Sequence, residues 1–347
     1  MTAATAATAA AKLADDLREA AREAGLAAES VAALKRLSGG ASKESWAFDL
    51  CLEDGRLLPA VLRRQPADLR FADAVLGSVA AEAAVIRVAA AAGVPVPDIL
   101  FELPPGSSLG DGYAMERIAG ETLGARILRL PELERARAGL ARRSGEVLAK
   151  LHAVPRPSRL GLPVVGPEDM LATLDARLQR VGAGRPVFHY AYRWLRRHLP
   201  DSEARVLLHG DFRNGNLVVG PDGLRAVLDW ELAHVGVPAA DLAWLCVTSW
   251  RFQRPELPVG GFGTREELLA GYRAAGGVAI EAAELHAWEV CQTLNWGLMC
   301  AGAGLSFVEG SRSVEGAVIA RRASETEFDL LRLLAPAHAA WREAGDV

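Results

Sequence analysis

Lysine is scarce in this chain. Lys12, Lys35, Lys43 and Lys150 are the four among thirty-nine basic residues, and arginine is spread along the whole length, a compositional bias rather than a basic patch. The formal net charge of −4 leaves no electrostatic footprint for nucleic acid. Cysteine is limited to Cys51, Cys246, Cys291 and Cys300, far apart and without a C-x-x-C pair. That spacing indicates neither a disulfide framework nor a thiolate zinc site, and it suits a reducing, cytoplasmic setting. No apolar run reaches the roughly 18 residues of a membrane helix. The start, MTAATAATAAAKLADDL, has no basic segment ahead of a sustained apolar core, so neither a span nor a signal peptide is expected. A Walker A loop is missing too, so a P-loop nucleotide fold is not indicated. Aromatics are few, at 6%, yet half of the 347 residues are apolar, enough to bury substantial cores in about two domains.

What is present is concentrated between Leu207 and Trp230, LLHGDFRNGNLVVGPDGLRAVLDW. Asp211 and Asn216 lie on a turn between apolar strand-like runs, and Asp229 closes the Val-Leu run that follows. Pro221-Asp222-Gly223 supplies a hairpin signal between the runs. An Asp in such a turn is commonly a turn former. The full set instead suits phosphoryl transfer, in which one carboxylate positions a hydroxyl and takes its proton while a carboxylate and a neutral oxygen hold Mg²⁺. Asp211 is the expected base, and Asn216 and Asp229 the expected metal ligands.

Elsewhere the pattern predicts a helix from Ala11 to about Leu26, a Gly/Ser turn at Ser38-Gly39-Gly40-Ala41-Ser42 leading into a strand, and a second strand over 57–63 after the Asp54-Gly55 turn. A helix over 78–92 closed by Gly93 and a strand over 112–118 follow. From Glu132 onward helices dominate, with a catalytic hairpin over 206–230 among them.

With these residues in view, the chain resembles the aminoglycoside phosphotransferase and choline kinase-like family. His209-Gly210-Asp211, Asn216, Asp229-Trp230 and Asp241-Leu242-Ala243 follow its pattern. The stretch LDWELAHVGVPAADLAWL and the later SWRF look like the branch that includes kinase-like domains found with acyl-CoA dehydrogenases. The resemblance implies an α+β, bilobal, protein-kinase-like fold: an N-lobe over 1–118 with a small antiparallel sheet and one main helix, a mostly helical C-lobe over 119–347, and the active site in the cleft. It implies an ATP- and Mg²⁺-dependent transfer to a hydroxyl of a small molecule, with no nucleic acid or membrane partner.

The same resemblance assigns the nucleotide side. Ser38, Gly39 and Gly40 would fold over phosphates, where glycine lets backbone N–H groups approach an anion. Met115, Glu116 and Ile118 would form the hinge whose backbone meets the adenine, and a guanine is not excluded. Arg63 stands where kinases carry a strand lysine, with Glu82 as its helix partner. Three readings follow: Arg63 takes the lysine's place, Lys43 reaches in from the glycine loop, or the chain is a pseudokinase or scaffold without catalysis. A hydrolase built on His209 and Asp211 is a further alternative. Arg213 would neutralise the transferring phosphoryl group, His209 would bond the loop backbone, and Asp241 would cap its helix and brace the loop. Glu231, Glu284, Glu289, Trp250, Arg251, Trp288 and Trp296 are candidates for the acceptor pocket, whereas Arg321, Arg322, Glu325 and Glu327 read as a solvated helix face.

Overall fold

The structure, a computed structural model, describes residues 3–37, 43–65, 78–311 and 313–335. Ser38, Gly39 and Gly40 lie outside the described residues. The chain forms two compact units, Met1–Gly120 with Arg225–Ala233, and Glu121–Leu224 with His234–Val347.

The first unit holds α1 (Ala3–Glu23), β1 (Ala28–Arg36), β2 (Glu44–Leu52), β3 (Leu57–Gln65), α2 (Val79–Ala91), β4 (Ile99–Glu102) and β5 (Asp111–Glu116). Its strands make one antiparallel sheet in the order β1-β2-β3-β5-β4. Leu13, Leu17, Ala20 and Ala21 recur at helical spacing on α1 and pack with Phe48, Leu50, Leu62 and Ala114 of the sheet. Strand side chains alternate between faces, so Leu62 in that core leaves its neighbour Arg63 on the opposite face. Glu82 of α2 meets Arg63 there. The Ser78 hydroxyl caps α2 by accepting from Ala81 N–H at 3.1 Å, and Gly93 at φ +79° turns the chain away.

Two strands exceed the expectation. In place of a helix reaching Leu26, α1 stops at Glu23, and β1 follows at the sheet edge. β1 is Ala-rich, mostly exposed and bulged in two places, with Ala33 at φ +52°, so it carries neither alternation nor strand-favouring residues. β4 is four residues long and comes directly after Pro95 and Pro97.

The second unit is mostly helical: α3 (Gly124–Ile127), α4 (Glu134–Ala138), α5 (Leu140–His152), α6 (Pro167–Val181), α7 (Pro186–His198), α8 (Pro238–Cys246), α9 (Arg265–Ala274), α10 (Ala282–Val308), α11 (Val314–Ala320) and α12 (Arg322–Leu334). Every residue of α8 is buried, which its nearly continuous apolar sequence allows. Gly145 of α5 and Gly271 of α9 let those two helices touch backbone to backbone, since a Cβ on either would collide with the other helix's carbonyl.

The stretch 206–230 is not one hairpin. β7 (Val206–Leu208) pairs with β10 (His234–Gly236), which also pairs with β6 (Val164–Val165). The hairpin proper joins β8 (Leu217–Gly220) to β9 (Gly223–Val227) around Pro221-Asp222, with Gly223 at φ +125°. Residues 209–216 therefore link two small sheets.

Candidate active site

In the first unit, Arg63 gathers carboxylates. Its Nε donates to Glu82 at 2.8 Å, and its Nη2 to Asp229 at 2.8 Å and Glu231 at 2.9 Å. Lys43 donates to the other oxygen of Glu82 and lies 3.8 Å from Glu231. The Tyr113 hydroxyl adds a third donor to Glu82 at 3.2 Å. Glu82 is thus a buried anchor for both cations, with 1% of its side chain exposed, whereas 30% of the Asp229 side chain is exposed. Burial and the neighbouring Arg63 charge push the Lys43 ammonium down to about 8, against the pull of Glu231 and Asp229. Asp229 is held at φ +66°, a left-handed conformation rarely adopted by a non-glycine residue. Both cations reach Glu82, and Arg63 also bonds Asp229.

The hinge candidates differ among themselves. Met115 sits within β5 opposite Val61 and Ile99. The Glu116 N–H already donates to Asp98 O at 2.9 Å, so at that residue the sheet takes the donor. Ile118 lies past the strand end and is half-buried.

In the second unit the His209–Asn216 loop is held from α8. Asp241 accepts the backbone N–H groups of His209 at 2.7 Å and Gly210 at 2.9 Å. It lies in the first turn of α8, whose N-terminus has no side-chain cap, so it braces the loop and does not cap its helix. Burial alone would raise its pKa, but the bonds to His152 and His209 win and hold its carboxyl below the usual range. His152 approaches Asp241 through Nε2 at 3.4 Å and Tyr272 Oη through Nδ1 at 2.8 Å. The close packing of α5 on α9 places that pair, because Tyr272 follows Gly271 directly. His209 Nδ1 accepts from Asp211 N–H at 3.1 Å, tying the loop to itself.

The Asp211 carboxylate accepts from three side chains: Trp244 Nε1 at 2.7 Å, Arg213 Nε at 3.0 Å and Asn216 Nδ2 at 2.6 Å. Asn216 Nδ2 also donates to the Asp211 carbonyl at 2.9 Å. With its amide nitrogen so engaged, Asn216 keeps its oxygen as the group to offer a cation. An amide oxygen is a hard donor of the kind Mg²⁺ accepts. The Arg213 guanidinium stacks 4.6 Å from the Trp250 ring centroid.

The sequence profile of the phosphotransferase enzyme family matches residues 7–278, well over half of the chain. The chain belongs to that family. The chain is 34% identical to acyl-CoA dehydrogenase family member 11 of Gallus gallus over 183 residues, 50% of this chain and 23% of that protein. It is 30% identical to acyl-CoA dehydrogenase family member 10 of Mus musculus over 197 residues, 54% of this chain and 18% of that protein. The matched stretch thus spans less than a quarter of the length of those relatives. Among solved structures, an aminoglycoside phosphotransferase-type protein of Ralstonia eutropha has a TM-score of 0.70 at 20% identity, covering 92% of this chain and 97% of that one. A spectinomycin phosphotransferase in complex with ADP and spectinomycin has a TM-score of 0.61 at 14% identity, covering 92% and 99%. At such identities the likeness shows the kinase-like phosphotransferase fold.

Sequence reasoning missed Trp244, His152 and Tyr272. Trp244 had a signal, since it lies three residues after Asp241 on one helix face; His152 and Tyr272, on two distant helices, had none. Glu289, a candidate for the acceptor pocket, is instead a buried counter-ion for Arg251 at 2.9 Å and Arg265 at 2.8 Å, and Trp288 is core. Glu231 is drawn to Arg63. The hydrolase alternative has one string to consider, Gly106-Ser107-Ser108-Leu109-Gly110. It lies in the β4–β5 connection with no helix after it, and the Ser108 hydroxyl donates to Asp16. That is not a strand-to-helix nucleophile elbow.

Proposed function

We propose that this phosphotransferase moves the γ-phosphoryl group of ATP to a hydroxyl group of a small molecule, with Asp211 as the base. The observation that carries this reading is the threefold grip on Asp211, which fixes one carboxylate on a loop itself braced by Asp241. Phosphoryl transfer leaves the protein little covalent chemistry and depends on such positioning. The hydroxyl would donate to Asp211 and pass its proton there as the oxygen attacks phosphorus. Arg213 would offset charge on the transferring oxygens, and Arg63, anchored by Glu82, would offer its remaining Nη1 to the other phosphates. Asn216 and Asp229 would be the Mg²⁺ ligands; the bound ion would supply charge neutralisation at the phosphoryl oxygens. Main-chain groups of the Met115–Ile118 segment, the Glu116 carbonyl among them, would meet the base.

The acceptor is a small hydroxyl compound. The ADP and spectinomycin bound by one structural neighbour support nucleotide use and a small acceptor. No helix among the described residues is long and apolar enough to cross a membrane. The four cysteines are free, which suits the cytoplasmic setting we propose.

A transfer assay with γ-labelled ATP and Mg²⁺ tests the proposal, using separate pools of aminoglycosides and macrolides, hydroxyacyl thioesters, and amino alcohols. Labelled product from one pool, absent with Asp211→Ala, is the expected result. No product together with no Mg²⁺-dependent ATP binding would replace the kinase with a non-catalytic scaffold.

A further inference from the structure

The second unit holds a cavity of about 920 Å³ that none of the roles above uses. Arg129, Arg321, Arg322 and Arg332 line it, against Glu325 and Asp329. Even with both acids ionised, the lining keeps a positive excess. Arg322 is partly engaged with Glu325 at 3.4 Å, and the Arg332 guanidinium lies 5.8 Å from the Phe328 ring centroid. Arg321 and Glu325 are exposed and Arg322 is half-buried, as expected of a solvated helix face, and with Ser324 they line one side of this open recess; Glu327 turns away to Arg185 at 3.0 Å.

Another part of the lining is strained. Phe252 and Gln253, both lining the cavity, have φ of +41° and +71°, a left-handed pair without glycine. The Phe252 ring packs on Gly124, where any Cβ would collide with it. Such outliers persist where the surroundings over-determine them, and they cluster at ligand sites. The short turn Thr248–Trp250 links this wall to the catalytic loop. Thr248 and Ser249 line the cavity, and the next residue, Trp250, lies under Arg213, whose Nε holds Asp211.

We propose that this cavity binds a phosphate-type anion, and that the anion is the far end of the hydroxyl acceptor. Guanidinium groups match phosphate oxygens in charge and in fork geometry, and they remain charged at every working pH. The same lining disfavours a polycation. An acceptor with its hydroxyl at Asp211 would run over the Thr248–Trp250 turn and place its anionic end among Arg129, Arg321 and Arg332, with the Phe252 and Phe328 rings beside it. The acceptor half of the proposal rests on the function proposed above; the cavity half does not.

The test titrates inorganic pyrophosphate, without Mg²⁺, into full-length Arg63→Gln protein by calorimetry, so that binding near Arg63 is suppressed. Adding Arg129→Gln and Arg332→Gln should weaken the affinity by about tenfold or more, as expected for lost charge-assisted contacts. Adding Arg196→Gln and Arg197→Gln on α7 instead should change nothing. Equal affinity in all three proteins, or no binding, overturns the cavity assignment. In the wild-type protein at saturating ATP, pyrophosphate should then raise the acceptor KM and leave kcat unchanged. A fall in kcat at constant KM would mark a free anion acting on its own and overturn the acceptor half. Binding through Arg129 and Arg332 in a protein that transfers no phosphoryl group would keep the cavity and remove the acceptor half with the proposed function.

Discussion

Trp244 donates its indole N–H to Asp211 at 2.7 Å, and three residues earlier on the same helix Asp241 accepts the N–H groups of His209 and Gly210. One helix therefore holds both the path of the His209–Asn216 loop and the orientation of the Asp211 carboxylate. All three bonds come from α8, every residue of which is buried.

Trp244→Phe keeps the packing and removes one donor from Asp211. A hydrogen bond to a charged group contributes about 1.5–3 kcal/mol, so kcat should fall by about ten- to a hundredfold. Affinity for ATP should stay as in the wild type. Steady-state kinetics with equilibrium nucleotide binding checks both, and an unchanged kcat would remove Trp244 from the positioning of Asp211.

Arg63→Ala would leave the buried Glu82 with Lys43 and Tyr113 and would take the bonded cation from Asp229 and Glu231. Breaking such a cluster from one side is destabilising by roughly 3–5 kcal/mol where the partners are buried. ATP binding should weaken severely. Lys43→Ala should lower stability through Glu82 yet weaken ATP less, because it is Arg63 that bonds Asp229. Reversed effects in a binding titration would transfer the phosphate role to Lys43.

Gly271→Ala should act at a distance. Its Cβ would collide with the Arg142 carbonyl, so α9 must move from α5 and carry Tyr272 away from His152. Lower kcat together with a lower Tm is the expected pair. Gly302→Ala, on α10 with open space around it and no left-handed φ, should show little effect on kcat or Tm and serves as the comparison.

Asp329 gives a pH dependence of stability. Burial lifts its carboxyl from 3.8 to about 6, against lowering by Arg251, Arg332 and a bond to Thr248, while Glu325 adds to the rise. Between those values the folded chain binds more protons than the unfolded one, so this contribution is complete below about pH 4 and is lost as pH rises through about 6. Asp329→Asn should therefore be more stable than the wild type at pH 7.5, with the difference closing toward pH 4. Thermal melts across that range would reveal a constant difference if the carboxyl were not buried as described.

Much of the fold was legible because its signals are local. Alternation in Trp46-Ala47-Phe48-Asp49-Leu50, the Asp54-Gly55 turn and the Ser78 cap each specify an element within a few residues. β1 was not legible, since an Ala-rich, bulged edge strand is held by pairing with β2 and not by its own pattern. The same contrast divides the candidate site. Asp211 and Asn216 lie within one loop, and their spacing alone suggests a shared role. The brace through His152 and Tyr272 depends on the close packing of α5 on α9, a tertiary contact that no local pattern encodes. Glu231 shows the limit most clearly: two residues from Asp229, it was a candidate for the acceptor pocket, and only the fold of β3 brings Arg63 to it.

The central claim is that Asp211 positions and deprotonates the acceptor hydroxyl. Single-turnover transfer of label from γ-labelled ATP, measured for the wild type and Asp211→Asn with nucleotide affinity in parallel, tests it most directly. Unchanged affinity and a transfer rate lower by about a thousandfold or more are expected, since base and positioning are lost together. Transfer by Asp211→Asn at near the wild-type rate would contradict it.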